Sequence, residues 1–470
     1  MKIGGQGANR LIPSFISSLS VVYFHLLVKQ AGITMTLHHR QQQSLLSNSD
    51  TNNTDSYRST DTEYNSSQAD ERVPETSHLS STTETFFHIV CITAGTGILQ
   101  LPYALKSGGW AGMAYIALAA AISAYTGKIL VRCLYYKHGV RLQSYSEVAE
   151  AAFGPRGRLV VRTLKDVNLL GVVGIYIVLA GISIDSLVVG TPVEQFGERF
   201  WIAASAVVVW AAIVAARQIH DVFVLSIFGT LTTVVMVVIV IWLGVLDLEF
   251  MHARPPTKAI DIRMMPISLA SICFSFGGNL NWPDLEASMK SPKKWSKALS
   301  LATTFIAFIY ACVAAVGYGV YGGHVRSPIF LSLPSGIAVS IAKAMITAHV
   351  LLACPILLTA VFIEAERDLN ISSNTLGVFK ERLWRAVFRS LLMLVIALFA
   401  LFVSDFSKIV PILGAVAASL VVFVIPVACY ICLFKDQRQF SVWEFVWCGL
   451  IVLIGLACLV VGTSQALADL

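Results

Sequence analysis

The chain has 470 residues, of which 56% are hydrophobic and only 13% charged, against about a quarter charged in ordinary soluble domains. That balance excludes a soluble globular protein and points to an all-α polytopic membrane protein embedded in a lipid bilayer. The net charge of +6 rests on basic residues concentrated in short loops between apolar segments, where they orient a protein in the membrane, so no nucleic-acid partner is implied.

Residues 1–37 carry an apolar run from Leu11 to Val28, bounded by Arg10 and Lys29. It has the length of a minimal span or of a signal core, and three readings stand: an extension ahead of a true start at Met35, a signal anchor, or an interfacial helix. From His38 to about Thr85 the chain is Ser, Thr, Asn, Gln and Asp with hardly an apolar residue, a composition that buries no core. Residues 1–85 therefore read as an N-terminal extension and a disordered tail. Leu45-Leu46 has the form of a dileucine sorting signal, but it lacks the upstream acid and reads as a chance pair.

Apolar segments then follow at about Phe86–Leu105, Trp110–Leu134, Val160–Val189, Phe200–Ala216 and Val222–Leu246. Between the second and third, Tyr145–Phe153 has helical spacing suited to the membrane surface, and Gly154-Pro155 ends it. A sixth segment opens near Pro266, and the rest lie at about 298–321, 337–363, 383–404, 406–433 and 445–464. Eleven spans are expected, divided as residues 86–247 for spans one to five, 248–433 for spans six to ten, and 434–470 for the last span and the C-terminus. With the tail in the cytosol, sixteen Lys and Arg fall in inside loops against seven outside, which favours that orientation. The sequons at Asn52, Asn65 and Asn370 then face the cytosol and stay unmodified. The nine cysteines lie in or at the ends of apolar segments and suggest no disulfide framework. Cys429 and Cys432, inside an apolar helix with no second ligand pair, read as packing rather than as a metal or cofactor site.

Two segments are interrupted in the same way. The first span contains Ala94-Gly95-Thr96-Gly97-Ile98-Leu99-Gln100-Leu101-Pro102-Tyr103-Ala104, and the sixth contains Cys273-Phe274-Ser275-Phe276-Gly277-Gly278-Asn279-Leu280-Asn281-Trp282-Pro283. Gly97 precedes Pro102, and Gly278 precedes Pro283, by the same five residues. A membrane helix satisfies its own backbone, so such breaks are costly unless they line a cavity. Paired interruptions at matching places in two halves point to the substrate site of an inverted-repeat transporter, with two ordinary kinks as the bland alternative.

Gly95-Thr96-Gly97-Ile98-Leu99, Leu101-Pro102-Tyr103-Ala104, Gly108-Gly109-Trp110, Tyr125-Thr126-Gly127-Lys128 and Pro283-Asp284-Leu285-Glu286-Ala287-Ser288-Met289-Lys290-Ser291-Pro292 together resemble the amino acid/auxin permease family. The likeness covers about 86–464 and is nearest to the family's vesicular inhibitory and fungal vacuolar amino acid transporter branch. It implies eleven helices in a LeuT-like five-plus-five inverted repeat plus one extra helix. It also implies secondary transport of amino acids driven by a proton gradient, as an exchanger of a vacuolar or vesicular membrane. A plasma-membrane symporter or an amino acid sensor with little flux is the alternative.

By that resemblance Gly95, Thr96 and Gly97 match the unwound part of the first span, and Ser275, Phe276, Gly277 and Gly278 that of the sixth. The physics agrees, because a broken helix offers free N–H groups to a carboxylate and free carbonyls to an ammonium near the bilayer midplane. Gly277-Gly278-Asn279 departs from the more polar or aromatic residues of some relatives. Tyr176 in the third span is a candidate cap on the pocket. His349, mid-span in the eighth segment, is the candidate proton site, against a neutral core histidine. Thr347, one turn from Lys343, is a candidate for lining a cation site. Asp166, four residues after Arg162, reads as an interfacial pair. Glu286 matches a family position and is a candidate latch for a cytosolic gate, with a nearby lysine as its partner. No H-E-x-x-H, G-x-S-x-G or paired intramembrane aspartate supports an enzyme.

Overall fold

In the computed structural model, which describes residues 80–468 except 138, 216–221, 251–254, 370, 372–376 and 437–439, the first helix begins on a capping box. Ser81 Oγ accepts from Glu84 N–H, and the Glu84 carboxylate accepts from Ser81 N–H, so two of the four orphan donors of the helix start are satisfied. Helix α1 (Thr82–Thr93) thus starts four residues before the expected Phe86. The readings on residues 1–37, on Leu45-Leu46 and on the three sequons lie outside the described residues.

After α1 the chain turns through a tight 3-10 segment, Thr96–Gln100, into α2 (Leu101–Gly108). The two halves are bent by 44°. Pro102 at the start of α2 removes only a donor that a helix start leaves orphaned. There follow α3 (Gly112–Leu134), the short α4 (Tyr145–Phe153), α5 (Pro155–Val188), α6 (Gly197–Ala215) and α7 (Val222–Phe250). Ser144 caps α4 by accepting from Glu147 N–H, and Gly154, at φ 72°, lets the chain turn directly from α4 into α5.

The second half repeats the opening. Helix α8 (Met265–Ser275) stops, a 3-10 turn covers Gly278–Asn281, and α9 (Trp282–Ala287) resumes with Pro283 in its first turn. Then come α10 (Trp295–Tyr321), α11 (Ile337–Asp368), α12 (Val378–Phe402) and α13 (Phe406–Leu413), which runs through a π-helical stretch, Gly414–Val424, into α14 (Ile425–Phe434). The last segment is α15 (Val442–Ala457), a π turn at Cys458–Gly462 and α16 (Thr463–Ala468).

Among the described residues nine helices are long and apolar enough to cross a membrane, and the bent pair of α1 with Thr96–Gly108 makes a tenth. The segment of α8 and α9 falls short, because its break leaves eleven residues on one side and six on the other. Among the same residues the only extended pairings are two isolated bridges, Ser80 with Met289 and Lys137 with Val140.

Helix association in a bilayer relies on close packing, since lipid tails are as apolar as leucine. Here α5 packs along α11 and α6, α10 along α1, α2 and α3, and α8 lies between α2 and the π-helical stretch. The last contact needs Gly414, where an added Cβ would lie 2.0 Å from Ala270 O of α8. The two broken segments are therefore held side by side in the middle of the bundle.

Candidate functional site

The two breaks meet. A Cβ built on Gly97 would lie 2.8 Å from Ser275 Oγ and 2.9 Å from Ser275 Cα, so only glycine permits this approach of one break to the other. Gly278 is equally confined: its Cβ would lie 2.4 Å from the Trp282 ring and 3.2 Å from Thr93 Oγ1. Gly95 differs, because the nearest atom to a Cβ there is the Tyr176 hydroxyl oxygen at 3.6 Å, an ordinary contact. Tyr176 of α5 also lies within hydrogen-bonding reach of the Thr96 side chain. The structure thus brings Gly95, Thr96, Gly97, Tyr176, Ser275 and Gly278 to one place, with Phe276 fully buried beside them.

The carbonyls of Phe274, Ser275 and Phe276 at the second break are already engaged. Phe276 O accepts from Gly278 N–H at 2.9 Å and from Ser123 Oγ at 3.3 Å. Gly277 N–H turns back to Phe274 O at 3.1 Å. Ser275 O lies 2.8 Å from the hydroxyl of Tyr310 on α10, and the same hydroxyl lies 2.6 Å from Thr93 O at the end of α1. Tyr310 is fully buried, with its ring edge-on to Phe276 at 5.1 Å between centroids. Thr93 Oγ1 is buried with no hydrogen-bond partner. Below the break, Asn279 donates to Thr126 Oγ1 at 3.1 Å and accepts from Trp282 Nε1 at 2.9 Å, which fixes the indole over Gly278. The carbonyl of Phe276 is thus engaged, while those of Thr93 and Ser275 share one hydroxyl. Thr93 and Tyr310 carried no distinguishing signal in the sequence, since a lone Thr or Tyr in a span usually reads as packing.

Both approaches to the breaks are bridged. On the side where α1 begins, the fully buried Glu286 accepts from Arg141 Nε at 3.0 Å, Arg141 Nη2 at 2.7 Å and the Tyr135 hydroxyl at 2.6 Å. The partner is thus an arginine from the loop after α3 rather than a lysine after α9. Its planar fork also donates to Pro283 O at 2.7 Å, a geometry an ammonium cannot copy. Burial works against the Arg141 charge, but the pair with Glu286 outweighs it and raises its pKa above the usual arginine value. Ser80 is bonded through its backbone to Ser288 O and Lys290 N–H, tying the start of α1 to the exit of α9. On the opposite side Gln100, fully buried, accepts from Ser327 Oγ and donates to Ser407 O at 3.4 Å, and Lys106 donates to Val325 O at 3.0 Å.

His349 and Thr347 stand on another seam. The His349 ring packs on Gly229 of α7, where a Cβ would lie 2.4 Å from Cε1, and its Nδ1 is buried without a hydrogen-bond partner. The Thr347 hydroxyl donates to Lys343 O at 2.8 Å in its own helix. Arg162, paired with Asp166 in the sequence reading, reaches Glu364 of α11 at 3.5 Å, beside Lys165 at 2.5 Å from the same carboxylate.

Residues 78–468 match the family described as transmembrane amino acid transporter protein. The chain is 27% identical over 391 residues to amino acid transporter AVT1E of Arabidopsis thaliana, covering 81% of this chain and 71% of that protein. It is 26% identical over 400 residues to the vesicular inhibitory amino acid transporter of Xenopus tropicalis, covering 80% of this chain and 74% of that one. Among solved structures it is similar to the inward-facing conformation of Mhp1, with a TM-score of 0.52 at 12% identity over 83% of this chain and 90% of the other. It is also similar to a manganese transporter of Eremococcus coleocola, with a TM-score of 0.51 at 11% identity over 84% and 90%. At such identities the likeness carries the fold alone, which is the LeuT-like fold of broken first and sixth spans.

Proposed function

The chain belongs to the transmembrane amino acid transporter family and is a multi-pass membrane amino acid transporter, and from that premise we propose a proton-coupled exchanger of α-amino acids whose substrate sits where the two breaks meet. The observation that carries this reading is the abutment of Gly97 on Ser275 beneath the Tyr310 hydroxyl. The half-helix α2 begins there and turns its positive end inward, which suits the substrate carboxylate. The ends of α1 and α8 present the carbonyls of Thr93 and Ser275, which suit the ammonium. Tyr176, facing Gly95, bounds the space left for the side chain.

In this reading the segment of α8 and α9 is the sixth span and brings the total to eleven, with spans one to five and six to ten forming the two repeats. The tail lies in the cytosol, so Glu286 with Arg141 closes the cytosolic side and Gln100 with Ser327 the other. The name of the vesicular relative supports a vesicular membrane. For coupling, His349 is the candidate, as an ionisable ring at membrane depth whose Nδ1 is engaged by no other group. Thr347, bonded to its own helix, has a supporting role in that seam at most.

The test is uptake into proteoliposomes under an imposed pH gradient, comparing the wild type with His349→Gln. Wild type is expected to accumulate labelled amino acid and to lose accumulation with a protonophore. His349→Gln is expected to keep exchange of labelled for unlabelled substrate and to lose accumulation. Accumulation by the variant equal to wild type across pH excludes His349, and accumulation that ignores the gradient excludes proton coupling.

A further inference from the structure

The donors and acceptors at the junction of the breaks do not balance. Thr93 O and Ser275 O each lie within hydrogen-bonding distance of Tyr310, at 2.6 Å and 2.8 Å, but a phenol carries one proton and serves one carbonyl at a time. Both carbonyls stand at the C-terminal ends of half-helices, α1 and α8, where the helix dipole adds negative potential. The Thr93 hydroxyl, buried and unpartnered, adds a third oxygen to the same place. The two carbonyls have one phenol proton between them, and the Thr93 hydroxyl proton reaches neither, so the carbonyls are short of a donor. An ammonium group, with three N–H donors and a positive charge, supplies what is missing.

We propose that Tyr310 is the release group of this site: its hydroxyl competes with the substrate ammonium for the Thr93 and Ser275 carbonyls. This rests on the reading of the junction as the amino acid site. When substrate is bound, the ammonium takes both carbonyls and the Thr93 hydroxyl oxygen, and the phenol is displaced from at least one of them. When substrate leaves, the phenol returns, so neither helix end is left bare in a dry interior, where an unpaired carbonyl is costly. The hydroxyl lowers the cost of emptying the site and weakens binding in exchange for turnover. Its ring, packed edge-on to Phe276, keeps it in place through the exchange.

The experiment is a kinetic comparison of wild type with Tyr310→Phe in proteoliposomes, normalised to folded protein. The variant keeps the ring and loses only the competitor. The expected result is a KM lower by about three- to tenfold, the worth of one ordinary hydrogen bond, with kcat reduced by a similar factor and kcat/KM nearly unchanged. A purely structural role moves only the amount of folded protein. Unchanged or raised KM overturns the proposal. Should Tyr310→Phe fail to fold, Thr93→Val decides: it removes the third oxygen at constant shape, and KM is expected to rise about threefold or more. No change in KM then overturns the proposal. Wild type that transports no amino acid refutes the site reading itself, whereas a transporting wild type with an indifferent variant refutes only the role of Tyr310.

Discussion

Replacing Gly97 by alanine adds one methyl group at the point where the breaks touch. The new Cβ would lie 2.9 Å from Ser275 Cα, a backbone atom, and relief to an ordinary contact of about 3.5 Å requires the breaks to separate by about 0.6 Å. Helix α8 has no slack on its other side, because Gly414 lies against Ala270 O too closely for any side chain. The strain therefore stays at the junction. Overpacking of this kind costs about 1–3 kcal/mol, and if that strain falls on the transport cycle the rate drops about 5- to 150-fold, at about 1.4 kcal/mol per factor of ten. The assay is initial uptake of labelled amino acid into proteoliposomes, normalised to folded transporter by size-exclusion profile. Gly449→Ala is the control, since nothing lies within 4 Å of a Cβ there. Wild-type uptake by Gly97→Ala, or an equal loss in Gly449→Ala, would refute the reasoning.

Arg141→Met leaves the fully buried Glu286 without its cation and is expected to cost about 3–5 kcal/mol, read as a lower unfolding temperature in detergent. The double variant Arg141→Met with Glu286→Gln is expected to recover much of that loss, and a double variant as unstable as the single one contradicts the pairing. In the loop before α8, the hydrogen bond from Lys258, followed by that from Met264 N–H, holds the Asp261 carboxyl below the usual carboxylate range. A depressed folded-state pKa contributes stability above the unfolded value of about 4 and loses it as pH falls through the folded value. Wild type and Asp261→Asn are thus expected to differ in unfolding temperature at neutral and mildly acidic pH and to converge only below that range; a difference that vanishes by pH 5 goes against it.

The paired breaks were legible because glycine and proline leave a mark on a sequence that tertiary context does not erase. The same punctuation gave α4 its end at Gly154-Pro155. The start of α1 was also written, as Ser81-Thr82-Thr83-Glu84, but a polar capping box following a polar tail looks like more tail. What escaped depends on distant contacts. Arg141 and Glu286 are 145 residues apart, and nothing in a basic loop says which arginine will reach a carboxylate. Tyr310 meets Thr93 across 217 residues, and an aromatic in an apolar span fits a packing role as well as a polar one. The π-helical stretch that opens at Gly414 left no mark on an apolar run, and neither did its close approach to α8, which is a property of the assembled bundle. His349 was legible as an ionisable group at depth, while its neighbour Gly229 was not.

The most direct test of the account is competition for uptake among three matched compounds: an α-amino acid, its decarboxylated amine and its deaminated acid. A site that holds the carboxylate at the start of α2 and the ammonium between Thr93 and Ser275 needs both groups. The amino acid is expected to compete fully, and each truncated compound at least tenfold more weakly, because each leaves charged or polar groups of the site unpaired. An amine or an acid that competes as well as its parent amino acid would contradict a substrate site at the junction of the two breaks.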